Sequence, residues 1–266
     1  MVQICYFGSG GNDMPGILKG KVALVTGAGM GLGQCSALAF AREGAKVVVA
    51  DIDVKNGQKT VDMIKKAGGE AMFVKTDVSR EADVENMVSK AIETFGKLDC
   101  AHNNVGIEEL PHPFTDGTEA MWNRLVDVNL KGVWLCMKHE LKYMEKHGGG
   151  TIVNTSSIAG LIGAPGQAIY SACKWGVNGL SKSAAKDYAK AGIRVNSICP
   201  AGMKGTGFYN RMLEAQPGMA EAVKQIVPLG RDSDPSEIAE AAVWLCSERA
   251  SYITGVAMPV EGGFSA

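Results

Sequence analysis

VALVTGAGMGLG, residues 22–33, joins a five-residue apolar run, Val22–Thr26, to a glycine-rich turn that leads at once into a helix-period segment, Leu32–Glu43. An apolar run of that length reads as a strand buried on both faces. Glycines in the turn allow a tight reversal and close backbone approach. The helix that follows presents unpaired N–H groups, which suit a pyrophosphate. The spacing is T-G-x-x-x-G-x-G; the strict G-x-G-x-x-G string is absent because position 32 is Leu, and Gly27, Met30, Gly31, Leu32 and Gly33 are the expected cofactor-binding residues of the turn.

The same alternation continues along the chain. Lys46–Asp51, Ala71–Thr76, Leu98–Asn103, Thr151–Ser156, Arg194–Ile198 and Val256–Val260 read as six further strands, and between them Lys55–Ala67, Glu81–Phe95, Thr118–Lys146, Ala168–Ala189 and Pro235–Ser247 read as helices. Strands alternating with helices predict an α/β, three-layer, doubly wound parallel sheet with helices on both faces. Ligands in such sheets bind beyond the carboxyl ends of the strands, so the residues just after each strand carry the functional reading.

Asp51 ends the second strand, 18 positions after Gly33, where a dinucleotide fold places the acid that holds the adenosine ribose. Ile52 follows it and Asp53 adds a second acid. A carboxylate near 4 Å from a 2′-phosphate would repel it by about 4 kcal/mol per unit charge at an effective dielectric of 20. With Met30 rather than a basic residue in the turn, NAD is expected over NADP. Asp77 and Val78 follow the third strand and are assigned to the adenine. Asn103, Asn104 and Val105 in Asn103–Gly106 follow the fourth, where the turn lets backbone approach the adenosine and ribose.

Tyr170-Ser-Ala-Cys-Lys174 opens a long helix pattern. Residues at i and i+4 share a helix face, so phenol and ammonium serve one site. A phenol with an ordinary pKa near 10 needs help to act as a base at pH 7. The Lys174 cation and a positive nicotinamide ring are expected to lower it. Ser157, thirteen residues earlier at the end of the fifth strand, can donate to a substrate oxygen.

These motifs, together with Asn129 in VNLKG, VNSICPAG, PLGR and TGVAMPVEGG, resemble the short-chain dehydrogenase/reductase family in its single-domain branch, from about Lys19 to the C-terminus. The resemblance implies a Rossmann fold of seven strands in the order 3-2-1-4-5-6-7 and a homotetramer built on the two long helices. It implies that Tyr170 transfers the proton and that Lys174 lowers its pKa and binds the nicotinamide ribose. Ser157 would orient the carbonyl or carbinol. Asn129 would hold a water against Lys174 from a distorted turn of the fourth helix. Pro200, Gly202, Met203 and Thr206 fall to the cofactor as well. Here the sequence departs from the family: the pattern has Thr five positions after the Pro, and this chain has Gly205 there with Thr206 beside it.

Residues 203–228 are expected to cover the substrate as a lid, with Phe208 touching it and glycines 205 and 207 as hinges. The lid's apolar side chains favour an apolar secondary alcohol or ketone, alicyclic or steroid-like; packing on the core is the alternative. A 3-oxoacyl-carrier-protein reductase and a non-enzymatic NAD-binding sensor are the rival functions.

Bulk properties narrow the partners. The net charge is −1 and the charges are evenly mixed, which leaves no basic stripe for nucleic acid or an anionic membrane. The seven cysteines, Cys5, Cys35, Cys100, Cys136, Cys173, Cys199 and Cys246, include no C-x-x-C pair, so no disulfide framework or metal site is expected, and a reducing cytoplasm is. Residues 1–18 contain GSGGN but no helical pattern after it, and read as an extension ahead of one catalytic domain, 19–266.

Overall fold

The computed structural model describes residues 16–215 and 218–266. Seven strands run β1 (Val22–Thr26), β2 (Lys46–Asp51), β3 (Ala71–Lys75), β4 (Cys100–Asn103), β5 (Gly150–Thr155), β6 (Ile193–Pro200) and β7 (Ala257–Val260). They form one sheet in the order β3-β2-β1-β4-β5-β6-β7, every pair parallel. Architecture and strand order agree with the sequence expectation.

Helices cover both faces because alternate residues of each strand point opposite ways. On one face Ala23, Val25, Val47 and Val49 pack with α1 (Gly31–Arg42), α2 (Val54–Lys66) and α9 (Pro235–Cys246) around Phe40 and Ile238. On the other, Leu24, Val48 and Ala50 pack with α3 (Glu81–Phe95), α5 (Gly132–Met144) and α6 (Ala168–Tyr188) around Met87, Leu135 and Val177. Each such fully buried side chain stabilises the fold by roughly 1.5–3 kcal/mol before entropy is counted. Local signals fix the ends: α9 starts at a capping box in which Asp234 and Glu237 bond each other's backbone, with Pro235 in the first turn.

Three expectations change. The fourth helix, read as Thr118–Lys146, is two helices, α4 (Glu119–Val126) and α5, joined through a π turn at Asp127–Lys131. The lid contains two helices that periodicity did not reveal, α7 (Gly207–Ala215) and α8 (Met219–Ile226). The boundary placed after residue 18 falls inside an ordered turn: Leu18 is fully buried and its N–H donates to the Glu43 carbonyl, while the Ile17 N–H donates to the Glu43 carboxylate. Residues 1–15 of the expected extension lie outside the described residues. Among the described residues no helix is long and apolar enough to cross a membrane, and no three His, Cys, Asp or Glu side chains cluster as a metal site.

Candidate active site

The glycine turn after β1 has the geometry a pyrophosphate needs. Gly27 and Gly31 adopt positive φ, 63° and 54°, which non-glycine residues rarely accept. A Cβ at Gly33 would stand 2.0 Å from the Gly27 carbonyl oxygen, so this glycine lets α1 press against the turn. Met30 begins α1 with no side-chain cap and no acid in the first turn, leaving its N–H groups open to an anion. The turn is braced from below: Thr60 Oγ1 donates to the Ala28 carbonyl and Gln34 Nε2 to the Gly29 carbonyl.

Asp51 stands at the rim of the same space. Its Oδ2 accepts from Gly29 N at 2.7 Å and its Oδ1 from Asp53 N at 2.8 Å. A carboxylate has about four acceptor positions, so two remain for ribose hydroxyls. The cavity beyond the strand ends measures about 720 Å³. Gly27, Met30, Gly31, Leu32, Asp51, Ile52, Asp77, Val78, Asn104 and Val105 line it, as do Tyr170, Lys174, Pro200, Gly202, Met203 and Thr206. Turn, helix terminus and acid fit a dinucleotide cofactor.

Two residues assigned to the cofactor face elsewhere. Asn103, the last residue of β4, turns its side chain into the protein, where Nδ2 donates to Glu140 Oε2 at 2.9 Å and to Asn154 Oδ1 at 3.0 Å. Strand alternation sends it inward while Asn104 and Val105 reach the cavity; their N–H groups are held by Thr26 Oγ1. Gly33 acts through packing rather than as part of the wall. Thr206, displaced by one position in sequence, still lines the cavity, with its hydroxyl bonded to the Met203 carbonyl. The side chain of Phe208 lies outside the described residues.

At the other end of the cavity Tyr170 is 8% exposed, and the Ser157 side chain acts on its phenol to favour the ionised form. Ser157 Oγ also accepts from Ala159 N, which fixes the serine at the head of a short helical turn. Lys174, buried one turn along α6, donates Nζ to the Thr155 carbonyl at 2.8 Å and lies 5.5 Å from the centre of the Tyr170 ring. Burial pushes the Tyr170 phenol up to about 12, opposed by the Ser157 side chain, and brings the Lys174 ammonium down to about 8. The expected fall of the phenol pKa is therefore not a property of this protein by itself. Removing the site from water disfavours both charges.

Asn129 sits in the π turn, fully buried. Both ends of its amide are engaged with Ile107: Oδ1 accepts from Ile107 N at 2.8 Å and Nδ2 donates to Ile107 O at 2.9 Å. Its side chain thus clamps the segment after β4, and its Oδ1 and Lys174 Nζ both stand against Gly106.

That segment carries groups the sequence reading did not single out. Glu109, 2% exposed, accepts from Tyr170 N at 2.7 Å. Glu108 pairs with Arg211 of α7, and both line the cavity. No spacing rule links Glu109 to Tyr170 across 61 residues.

A glycine turn for a pyrophosphate and a buried Tyr170–Lys174 pair lining one cavity, with Ser157 beside the tyrosine, define a nucleotide-dependent oxidoreductase. A family model described as enoyl-(acyl carrier protein) reductase matches residues 27–265. The chain is 42% identical to a cyclohexanol dehydrogenase of Acinetobacter sp. (strain SE19), over 92% of this chain and 95% of the relative. It is 38% identical to a 2,5-dichloro-2,5-cyclohexadiene-1,4-diol dehydrogenase of Sphingobium indicum, over 94% and 98%. A crystal structure of 3-ketoacyl-(acyl-carrier-protein) reductase from Brucella melitensis, complexed with NADH, superposes with a TM-score of 0.87 at 36% identity, covering 94% of this chain and 100% of that one. The chain belongs to the short-chain dehydrogenase/reductase family.

Proposed function

We propose that the protein is an NAD-dependent dehydrogenase that interconverts an apolar, alicyclic secondary alcohol and its ketone, with Tyr170 as proton acceptor and donor. The observation that carries this is that Tyr170 and Lys174, one turn apart on α6, line the same cavity as Asp51 and the glycine turn. The glycine turn, Asp51 and Lys174 would hold NAD, whose nicotinamide would supply the acceptor for the hydride of the carbinol carbon. The Tyr170 phenolate takes the hydroxyl proton and becomes the phenol while the C–O bond becomes a carbonyl; in reduction the phenol gives that proton back. Ser157 holds the substrate oxygen, and the Lys174 ammonium stabilises the phenolate as it forms.

The substrate end of the cavity supports the alicyclic reading. Ile107, Ile158, Ile162, Met212, Val223 and Val227 line it. The charges of Glu108 and Arg211 on its wall neutralise one another. The cyclohexanol dehydrogenase relative acts, by its name, on a ring of the size such a wall would hold. Asp51 and the absence of a basic residue at Met30 favour NAD over NADP by charge. The exposed Trp122, Trp134 and Trp175 on α4, α5 and α6 favour assembly on those helices, in line with a homotetramer, and the free cysteines favour a reducing cytoplasm.

The deciding experiment is an NADH absorbance screen over cyclic secondary alcohols, ketones, hydroxy acids and a 3-oxoacyl thioester, run in parallel with NADP. Oxidation of cyclohexanol-like alcohols with NAD is expected, and Tyr170→Phe should lower kcat by about 10²–10⁴-fold while NAD binding by calorimetry stays unchanged. Turnover confined to hydroxy acids would refute the apolar substrate. Preference for the thioester would favour the carrier-protein reductase, the activity named for the Brucella structure. NAD binding with no turnover in any arm would favour the sensor.

A further inference from the structure

α6 begins without a cap of its own. Gln167 precedes it with a non-helical backbone and no side-chain cap bond, although the first four N–H groups of any helix need partners from outside it. The fourth of these, counted from Gln167, belongs to Tyr170 itself. Its partner is Glu109 Oε2 at 2.7 Å, supplied by the segment after β4. The Glu109 side chain is fully buried. Its other oxygen, Oε1, is held by His112 Nε2 at 2.8 Å, and its backbone carbonyl accepts from Gln167 Nε2 at 2.7 Å. His112 is anchored in turn: Nδ1 lies 2.8 Å from the Pro113 carbonyl, which can only accept, so Nδ1 donates. With a carboxylate facing Nε2 as well, both ring nitrogens donate. The Pro113 and Glu109 bonds both favour this charged ring and raise the His112 pKa.

We infer that Glu109 is a positioning residue for the proton-transfer step: it caps the acid/base helix in trans and fixes the backbone of Tyr170 relative to Ser157. The inference rests on the proposed role of Tyr170. Geometry supports it at three points. The carboxylate binds the same residue that carries the phenol. An anion there also matches the positive end of the helix. Finally, the loop that supplies it is itself pinned by the Asn129 clamp on Ile107. A displacement of about 1 Å at a proton donor costs on the order of a hundredfold in rate, so a loose cap is felt in kcat before it is felt in cofactor binding.

The test compares Glu109→Ala and Glu109→Gln with the parent, at a temperature where all three are folded by circular dichroism. Glutamine keeps an oxygen for Tyr170 N, and its amide can donate to a neutral His112, so it preserves the cap without the charge. Amide exchange over residues 168–174 is expected to accelerate at least tenfold in the alanine variant and to stay close to the parent in the glutamine variant. With whichever alcohol the parent oxidises, kcat should fall about tenfold to a hundredfold in Glu109→Ala, with KM for NAD unchanged, and recover in Glu109→Gln. The inference is overturned if Glu109→Ala keeps the parent's kcat and exchange rates while only its Tm falls, or if glutamine rescues neither. A parent inactive on every alcohol would refute the functional reading; the exchange measurement would still decide the cap.

Discussion

Glu140 offers the sharpest test of the electrostatics beneath the site. It lies on α5 with its side chain fully buried, accepts from Asn103 Nδ2, and has no partner for Oε1 among the described residues. Burial raises its pKa from 4.5 to about 7, with the Asn103 bond opposing the rise. A carboxyl whose pKa is higher folded than unfolded holds its proton more tightly in the native state. The fold is therefore unpenalised below about pH 4.5 and loses stability as pH rises from there to about 7, beyond which the loss levels off. The plateau is about 3 kcal/mol, and the part falling between pH 5 and pH 8 is about 2.5 kcal/mol, at roughly 1.4 kcal/mol per unit. Glu140→Gln keeps an acceptor for Asn103 and removes the titration. Urea denaturation of parent and variant at half-unit steps from pH 5 to pH 8 isolates the effect, because other groups cancel in the difference. The Cys136 thiol, which feels the Glu140 charge, stays protonated over this range because burial holds its pKa well above 9. The variant's stability relative to the parent should rise by about 2.5 kcal/mol across the series. A difference that stays constant with pH would refute the reasoning and show that Glu140 ionises in the fold as easily as in water.

Gly33→Ala should abolish NAD binding by calorimetry and lower Tm, since the new Cβ would sit 2.0 Å from one backbone oxygen and 2.6 Å from the adjoining carbonyl carbon, neither of which can move away cheaply; unchanged affinity would show that the turn opens freely. Alcohol oxidation needs the phenolate, and the Tyr170 phenol rests near 12, so kcat/KM for oxidation should climb with pH from 6 upward, about tenfold per unit until the phenol of the cofactor complex titrates. In steady-state assays Lys174→Ala should move that limb to higher pH, and a limb unmoved by the substitution would separate lysine from tyrosine activation.

What was legible in the sequence is what is local or periodic. The glycine turn announced itself because turn chemistry lies within a few residues, and Tyr170 and Lys174 because a helix puts i and i+4 together. Strand order followed from βα alternation with the family resemblance. The misses share a cause in distance or parity. Asn103 and Asn104 are neighbours in sequence, yet alternation sends one into the Glu140 network and the other to the cavity, and an apolar strand buried on both faces gives no signal of which. The π turn in the fourth helix, at Asp127–Lys131, is where the family resemblance placed a distorted turn around Asn129, and composition and periodicity alone gave no sign of it. Glu109 is decided by the packing of a loop against a helix 61 residues away.

The pKa values of the buried pair constrain how the site works. With the phenol near 12 and the ammonium near 8, the resting site at pH 7 is a neutral Tyr170 beside a charged Lys174. In that state the ammonium has a neutral ring 5.5 Å away and stabilises little. Once the phenolate forms, opposite charges at this separation attract by about 3 kcal/mol at an effective dielectric of 20, or about two pKa units. In ketone reduction, where Tyr170 gives up its proton, the interaction grows as the charge develops, which is the condition for accelerating a step; in oxidation it favours the phenolate that accepts the proton. Burial holds the phenol near 12 with Lys174 already in place, so lysine alone does not make Tyr170 a base at neutral pH. The remaining shift has to come from a positive charge on the cavity side of the ring, which an oxidised nicotinamide would bring. The phenol should accordingly titrate lower in the NAD complex than in the free protein, and the reduced cofactor should not produce that shift.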